Sequence, residues 1–302
     1  MSCQQTPQAQ EILKDILDNY NDLNLSNNYR IKDITKYTAE RNMEDLGRYG
    51  FTHTFSDKDN VLMLKTLRLS WDETKSELKS ACDLVRKLHH IDKNHENVPH
   101  IRGFLFDPNT DREYLRLIFD YIPGQWSDLS KFLKENPPSE KLFPIILGAA
   151  RGLEAMHDKE IVLDWILPKT IITLNKEKAL ILGVPTKSVE KDPTIIHWSA
   201  PEAFRESNPS INSNVWQFGM VLYACISKKI PYHGVRPFEA CIRIQNYQKP
   251  EAPSKMTPFE DKLWEICEKC WSKPDGRPTM SDIIESLVSI NDEFFLENNG
   301  TA

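Results

Sequence analysis

The strongest constraint in this sequence is a change of pattern at Pro123-Gly124. Before that pair, apolar residues come in short alternating runs. MEDLGRYGFTHTF leads to a turn at Ser56–Asn60, VLMLKTLRL follows, and EYLRLIFDYI ends at the Pro-Gly turn. Alternation broken by turn residues predicts a hairpin and a further strand. Residues 72–90 carry one helical pattern, with Leu78, Cys82, Val85 and Leu88 on one side. After Gly124 long helical patterns take over: Leu142–His157, Asn214–Ser227, Phe238–Asn246, Phe259–Trp271 and Ser281–Glu297. The division predicts an α+β, bilobal chain, with a small β-rich lobe to about residue 122 and a larger helical lobe after it.

The expected organisation is an N-terminal extension at 1–40, a first lobe at 41–122, a second at 123–292 and a frayed tail at 293–302. Within the extension, Ile12, Leu13, Ile16, Leu17 and Tyr20 form an apolar helical stripe over residues 8–20, suited to packing on the first lobe or docking a partner.

Composition narrows the function. The chain has 302 residues, 40% of them hydrophobic and 27% charged, which is enough for a sizeable core. A net charge of -6 argues against a broad electrostatic grip on nucleic acid. The longest apolar run, Phe218 to Ile226, is too short to span a bilayer, which takes about 20 residues. The start, MSCQQTPQAQ, has neither the basic nor the apolar stretch of a secretory signal. Six scattered cysteines look like a reduced set, so a cytoplasmic setting is expected, with no membrane partner.

Several motifs then occur in order. GLEAMH (Gly152–His157) follows DYIPG (Asp120–Gly124). Ser199-Ala200-Pro201-Glu202 comes after Ile195-Ile196-His197-Trp198. NVWQFGMVLY begins at Asn214, and Cys270-Trp271 is followed by Arg277-Pro278-Thr279. Together they resemble the protein kinase superfamily, most closely its tyrosine-kinase-like branch, over about residues 40–290. The resemblance implies a bilobal kinase-like fold. It also implies an ion pair between Glu202 and Arg277 that ties the activation segment to the larger lobe.

Phosphoryl transfer in that family rests on a small set of charged and backbone groups. At the glycine-loop position stand Gly47, Tyr49, Gly50 and Thr52, so two glycines of the family pattern are replaced. Leu62-Met63-Leu64-Lys65 overlies the lysine strand and keeps Lys65, the one candidate for holding nucleotide. Its helical partner position is Ala81, with Glu77 one turn earlier, and Phe119 precedes the hinge. Residues 161–172 overlie the catalytic loop without a gap, Pro168 fixing the register. Leu163, Asp164, Trp165, Leu167 and Thr170 stand where the family has His, Arg, the catalytic Asp, Lys and a magnesium-binding Asn. Indole accepts no proton from a hydroxyl at neutral pH. Gly183-Val184-Pro185 replaces the metal-binding triplet, leaving no carboxylate there for magnesium. Thr186, Ser188 and Thr194 are loop hydroxyls of the activation segment, and Asn214 is placed to hydrogen-bond the catalytic-loop backbone.

Taken with these substitutions, the resemblance implies a degenerate member, a pseudokinase. It has no catalytic residue, cofactor or metal, and ATP binding is not expected. Such a chain acts in signalling as a scaffold, decoy or allosteric regulator through protein-protein binding, with an active kinase as a candidate partner. The alternative is an unconventional nucleotide-binding protein or a weakly active protein kinase, with Asp164 or Glu77 in new roles. Cys267 and Cys270 have C-x-x-C spacing without a second pair nearby, which reads as two buried helix thiols.

Overall fold

The computed structural model describes residues 52–57, 60–68, 83–107, 114–120, 122–182, 193–206 and 208–296. The amphipathic stretch at 8–20 lies outside them. The chain divides into two compact units at Pro123/Gly124, with residues 96–98 belonging to the second.

The first unit holds a four-stranded sheet in the order β1-β2-β4-β3. Strands β1 (Thr52–Asp57) and β2 (Asn60–Arg68) form the expected hairpin, closed by the pair Asp57 and Asn60. That leaves a two-residue connection, the length that matches the natural twist of a hairpin. Strand β4 (Tyr114–Asp120) pairs antiparallel with β2, and its Leu117, Ile118 and Phe119 are buried. Strand β3 (Ile101–Asp107) was not legible in the sequence. Its register shifts between Ile101 and Gly103, and an irregular, glycine-bearing strand breaks the alternation that reveals a regular one. Residues 83–89 are helical, with Val85 and Leu88 buried as the periodicity predicts.

The second unit is mainly helical. Its α-helices are α1 (Leu129–Lys134), α2 (Ser139–His157), α3 (Ile211–Ser227), α4 (Pro237–Gln245), α5 (Pro258–Cys270) and α6 (Met280–Asn291). Three short strands, β5 (Trp126–Asp128), β6 (Ile172–Leu174) and β7 (Lys178–Leu180), form a small antiparallel sheet. Strands β5 and β6 and helix α1 escaped sequence reading because three to six residues cannot display a period.

Helix α3 is the centre of this unit. Every residue from Ser213 to Ile226 is buried. A helix that is apolar all round has no solvent face and is surrounded by other elements. Its start is fixed by Ser210, whose hydroxyl accepts from the Ser213 amide at 3.0 Å while Ser213 Oγ accepts from the Ser210 amide at 2.8 Å. Helices α5 and α6 start in the same way, with Thr257/Glu260 and Thr279/Asp282. The contact between α3 and α5 requires Gly219, because a Cβ there would lie 2.7 Å from Cys270 Cβ and 2.9 Å from Trp271 Nε1. Cys225, Cys267 and Cys270 are buried free thiols. Burial pushes Cys225 and Cys270 up to about 12, so they remain protonated packing groups.

Candidate functional site

The site is built on residues 161–172, and two helices hold its main chain. From α3, Asn214 Oδ1 accepts from the Leu163 amide at 2.9 Å, and Asn214 Nδ2 donates to the Leu163 carbonyl at 2.7 Å. One turn on, Gln217 Oε1 accepts from the Ile166 amide at 2.9 Å, and Gln217 Nε2 donates to the Asp164 carbonyl at 3.4 Å. At the start of α1, the Leu129 amide donates to the Ile171 carbonyl at 2.9 Å and the Ser130 amide to the Pro168 carbonyl at 3.2 Å. Asp128 caps that helix, accepting from the Lys131 amide at 3.0 Å and from Ser130 Oγ. Satisfying buried backbone groups in this way is what permits an irregular loop inside a core.

Asn214 binds the loop as its position implied. Gln217 was missed, although its place three residues after Asn214 puts it on the same helix face. Both side chains are buried. Replacing Asn214 by alanine strands a buried N–H and C=O of Leu163, at about 1–3 kcal/mol for each unpaired group. The expected result is a lower denaturation midpoint together with faster proteolysis within 161–172, and an unchanged cleavage pattern contradicts it.

The loop's side chains divide into two sets. Leu163, Ile166 and Leu167 are buried and anchor it from within. Asp164, Trp165 and Thr170 are half-buried. Thr170 Oγ1 accepts from the Leu167 amide at 2.9 Å and lies 3.0 Å from the Leu167 carbonyl and 3.3 Å from that of Trp165. Asp164 is the only acid in the segment. The structure thus brings Leu163, Asp164, Trp165, Leu167 and Thr170 together on one anchored turn. Lys65 stands within β2, its backbone paired with Thr52 of β1 and Leu117 of β4. Gly47, Tyr49, Gly50, Glu77, Ala81, Gly183, Val184, Pro185, Thr186 and Ser188 lie outside the described residues.

The Glu202–Arg277 pair is present. Arg277 Nη2 donates to Glu202 Oε2 at 2.9 Å, and Nη1 donates to Glu202 Oε1 and to the Asn212 carbonyl, the latter at 2.8 Å. Its Nε donates to the Ser272 carbonyl at 2.9 Å, and its guanidinium lies 5.1 Å from the Trp216 ring.

Two histidines are tuned by burial. Desolvation holds His157 below the ordinary value of 6.5, although its Nε2 lies 3.4 Å from Asn214 Oδ1, a contact that opposes the shift. In the first unit, desolvation likewise lowers His100, with Asp120 opposing and the His89 ring 5.5 Å away. A histidine with a depressed folded pKa binds fewer protons folded than unfolded. Its contribution is complete above pH 6.5 and is lost as pH falls through the folded value. Urea midpoints are therefore expected to fall between pH 7.5 and 5.5, and His157→Gln flattens that slope. A midpoint independent of pH over that range contradicts this account.

A strand-rich unit, a helical unit, a loop anchored by Asn214 and Gln217 and a buried Glu202–Arg277 pair are the features of a kinase-like domain. The sequence model of the protein tyrosine and serine/threonine kinase family matches residues 47–287, and the chain belongs to that family. It is 24% identical to rat tyrosine-protein kinase Fer over 212 residues, 65% of this chain and 24% of that protein. It is 23% identical to the Arabidopsis thaliana serine/threonine-protein kinase STY46 over 262 residues, 82% of this chain and 43% of that protein. It is 22% identical to the transforming tyrosine-protein kinase Fps of Fujinami sarcoma virus over 267 residues, 82% of this chain and 29% of that protein. The chain thus spans less than half the length of these relatives.

These matches correct one expectation. The chain was expected not to be an enzyme, whereas the family match and relatives that are all named as kinases point to an enzyme. Family membership likewise tells against the expectation that ATP does not bind. The expectation rested on the identity of single side chains at the positions the resemblance marks as functional. Groups that act as a unit are strongly non-additive, and positioning by the scaffold sustains part of a rate after single groups change. Magnesium is the metal this family implies. Thr170 stands at one ligand position with its hydroxyl engaged by the loop, and no cluster of three or more His, Cys, Asp or Glu side chains forms a metal site among the described residues. That set does not fit magnesium, which takes carboxylate oxygens.

Proposed function

We propose that the chain is a weakly active protein kinase that transfers phosphoryl groups from ATP to a protein substrate through an unconventional set of residues. In this reading Lys65 is the nucleotide-handling candidate that the resemblance names, and Asp164 takes the hydroxyl-orienting role of the aspartate one residue later. The observation that carries it is the anchoring of the loop from α3 and α1, with its only carboxylate half-buried on the held turn. A fixed loop supplies positioning, which is most of what phosphoryl transfer asks of a protein. Free cysteines support a cytoplasmic setting. Among the described residues no helix is long and apolar enough to cross a membrane.

Transfer of labelled γ-phosphate from ATP to a generic protein substrate tests the reading. Transfer that depends on Lys65 supports it; transfer no higher than that of Lys65→Ala overturns it.

A further inference from the structure

A cavity of about 390 Å³ lies at the C-terminal end of α3, walled by the residues that follow that helix, by α4 and by the segment 251–255. None of its lining belongs to the loop at 161–172, so what it binds is independent of the proposed transfer chemistry.

The charge around it is uneven. Lys229, Arg243 and Lys255 line the cavity, and Glu251 is the only carboxylate that does. This local excess of positive charge stands on a chain of net charge -6. Arg243 is partly neutralised, since its Nη2 lies 2.7 Å from Glu239 Oε1. Lys229 and Lys255 are exposed and make no ion pair among the described residues, so both ammonium groups are available to a ligand.

The rest of the lining completes a recognition surface. His233 and Ser254 add exposed polar groups at the cavity. Tyr232 donates its hydroxyl proton to the Gln248 carbonyl at 2.7 Å, which fixes the ring as a wall. Tyr223 and Pro253 supply further ring surface. The volume lies within the range of about 300–1,000 Å³ used for small ligands and exceeds what a bare anion fills. Two ammonium groups and a guanidinium on one lining suit a dianion, and the ring walls suit an organic body attached to it.

We propose that this cavity binds a phosphate monoester, its dianion held by Lys229 and Lys255 with Arg243, and its organic part lying against Tyr223, Tyr232 and Pro253. The ester is either a phosphorylated side chain of a peptide or a small free organic phosphate.

Isothermal titration of the 302-residue chain with inorganic phosphate, phenyl phosphate and a short phosphotyrosine peptide, at fixed ionic strength, tests this. Saturable binding is expected for both esters, tighter than for inorganic phosphate. The double variant Lys229→Glu/Lys255→Glu changes only exposed side chains. It is expected to keep the wild-type melting temperature and to weaken ester binding roughly tenfold, the scale of two exposed charge contacts. Lys159→Glu, at an exposed position outside the lining, leaves binding unchanged. Lys65→Ala also leaves it unchanged, which separates this cavity from a nucleotide site. Tighter binding of the peptide than of phenyl phosphate assigns the ligand to a phosphorylated protein, and equal binding assigns it to a free organic phosphate. Absence of saturable ester binding, or equal affinity in the double variant, overturns the proposal.

Discussion

Replacing Lys65 by alanine is expected to lower labelled phosphoryl transfer by this chain on the order of 10²-fold or more, the scale of removing one preorganised charge from a developing anionic transition state. The backbone of Lys65 is held in a strand paired on both sides, with β1 and with β4. Asp164→Asn keeps the size of the side chain and removes its negative charge. It is expected to cost about 10²–10⁴-fold, the usual worth of a positioned general base. Trp165→Phe is expected to leave the rate near wild type, since the indole is assigned no proton transfer. The three variants together distinguish this chain's own activity from that of a contaminating kinase, which no substitution here changes. Equal label incorporation by wild type and Lys65→Ala removes the enzymatic reading. A loss confined to Lys65→Ala keeps nucleotide handling but strips Asp164 of its role.

Arg277→Ala is expected to destabilise the second unit by about 3–5 kcal/mol, because it leaves the Glu202 carboxylate largely buried and uncompensated. The guanidinium side chain is fully buried and also satisfies the Ser272 and Asn212 carbonyls, so the alanine variant strands several acceptors at once. For a protein of this size the melting temperature should drop on the order of 10 °C. Glu202→Gln should cost less, because an amide oxygen still accepts from the guanidinium. A fall in melting temperature of less than about 3 °C for Arg277→Ala shows that the pair is not the staple its geometry suggests. Measuring both single variants and the double variant isolates the pairwise energy from the penalty of the orphaned partner.

The sequence disclosed the parts of this fold whose signal repeats. The long helices α2, α3, α4, α5 and α6 show their period over several turns, and the hairpin shows its alternation on both sides of a short turn. Capping boxes place the helix starts a few residues earlier than the apolar pattern alone, as at Ser210 before Asn214. Strand β3 stayed hidden because its bulge breaks the period, and β5 and β6 because each is only three residues long.

The site was legible in a different way. Pro168 and the aliphatic residues of 161–172 marked the loop because burial constrains them, and Leu163, Ile166 and Leu167 are indeed inside. What sequence reasoning misjudged was consequence. It took altered side chains at Asp164, Trp165 and Thr170 as the end of catalysis, whereas the family match and relatives named as kinases point to an enzyme. The cavity beside Lys229 and Lys255 had no motif at all. Its residues come from three separate stretches that only folding brings to one place.

The grip on the loop has a wider implication. Within the loop, Asn214, Gln217, Leu129 and Ser130 hold peptide groups, which every residue type except proline presents in full. Positions such as 164 and 165 can therefore exchange one amino acid for another without loosening the turn that displays them. Shape and chemistry are under separate control in this domain, so new reactivity can be written onto an old frame one side chain at a time.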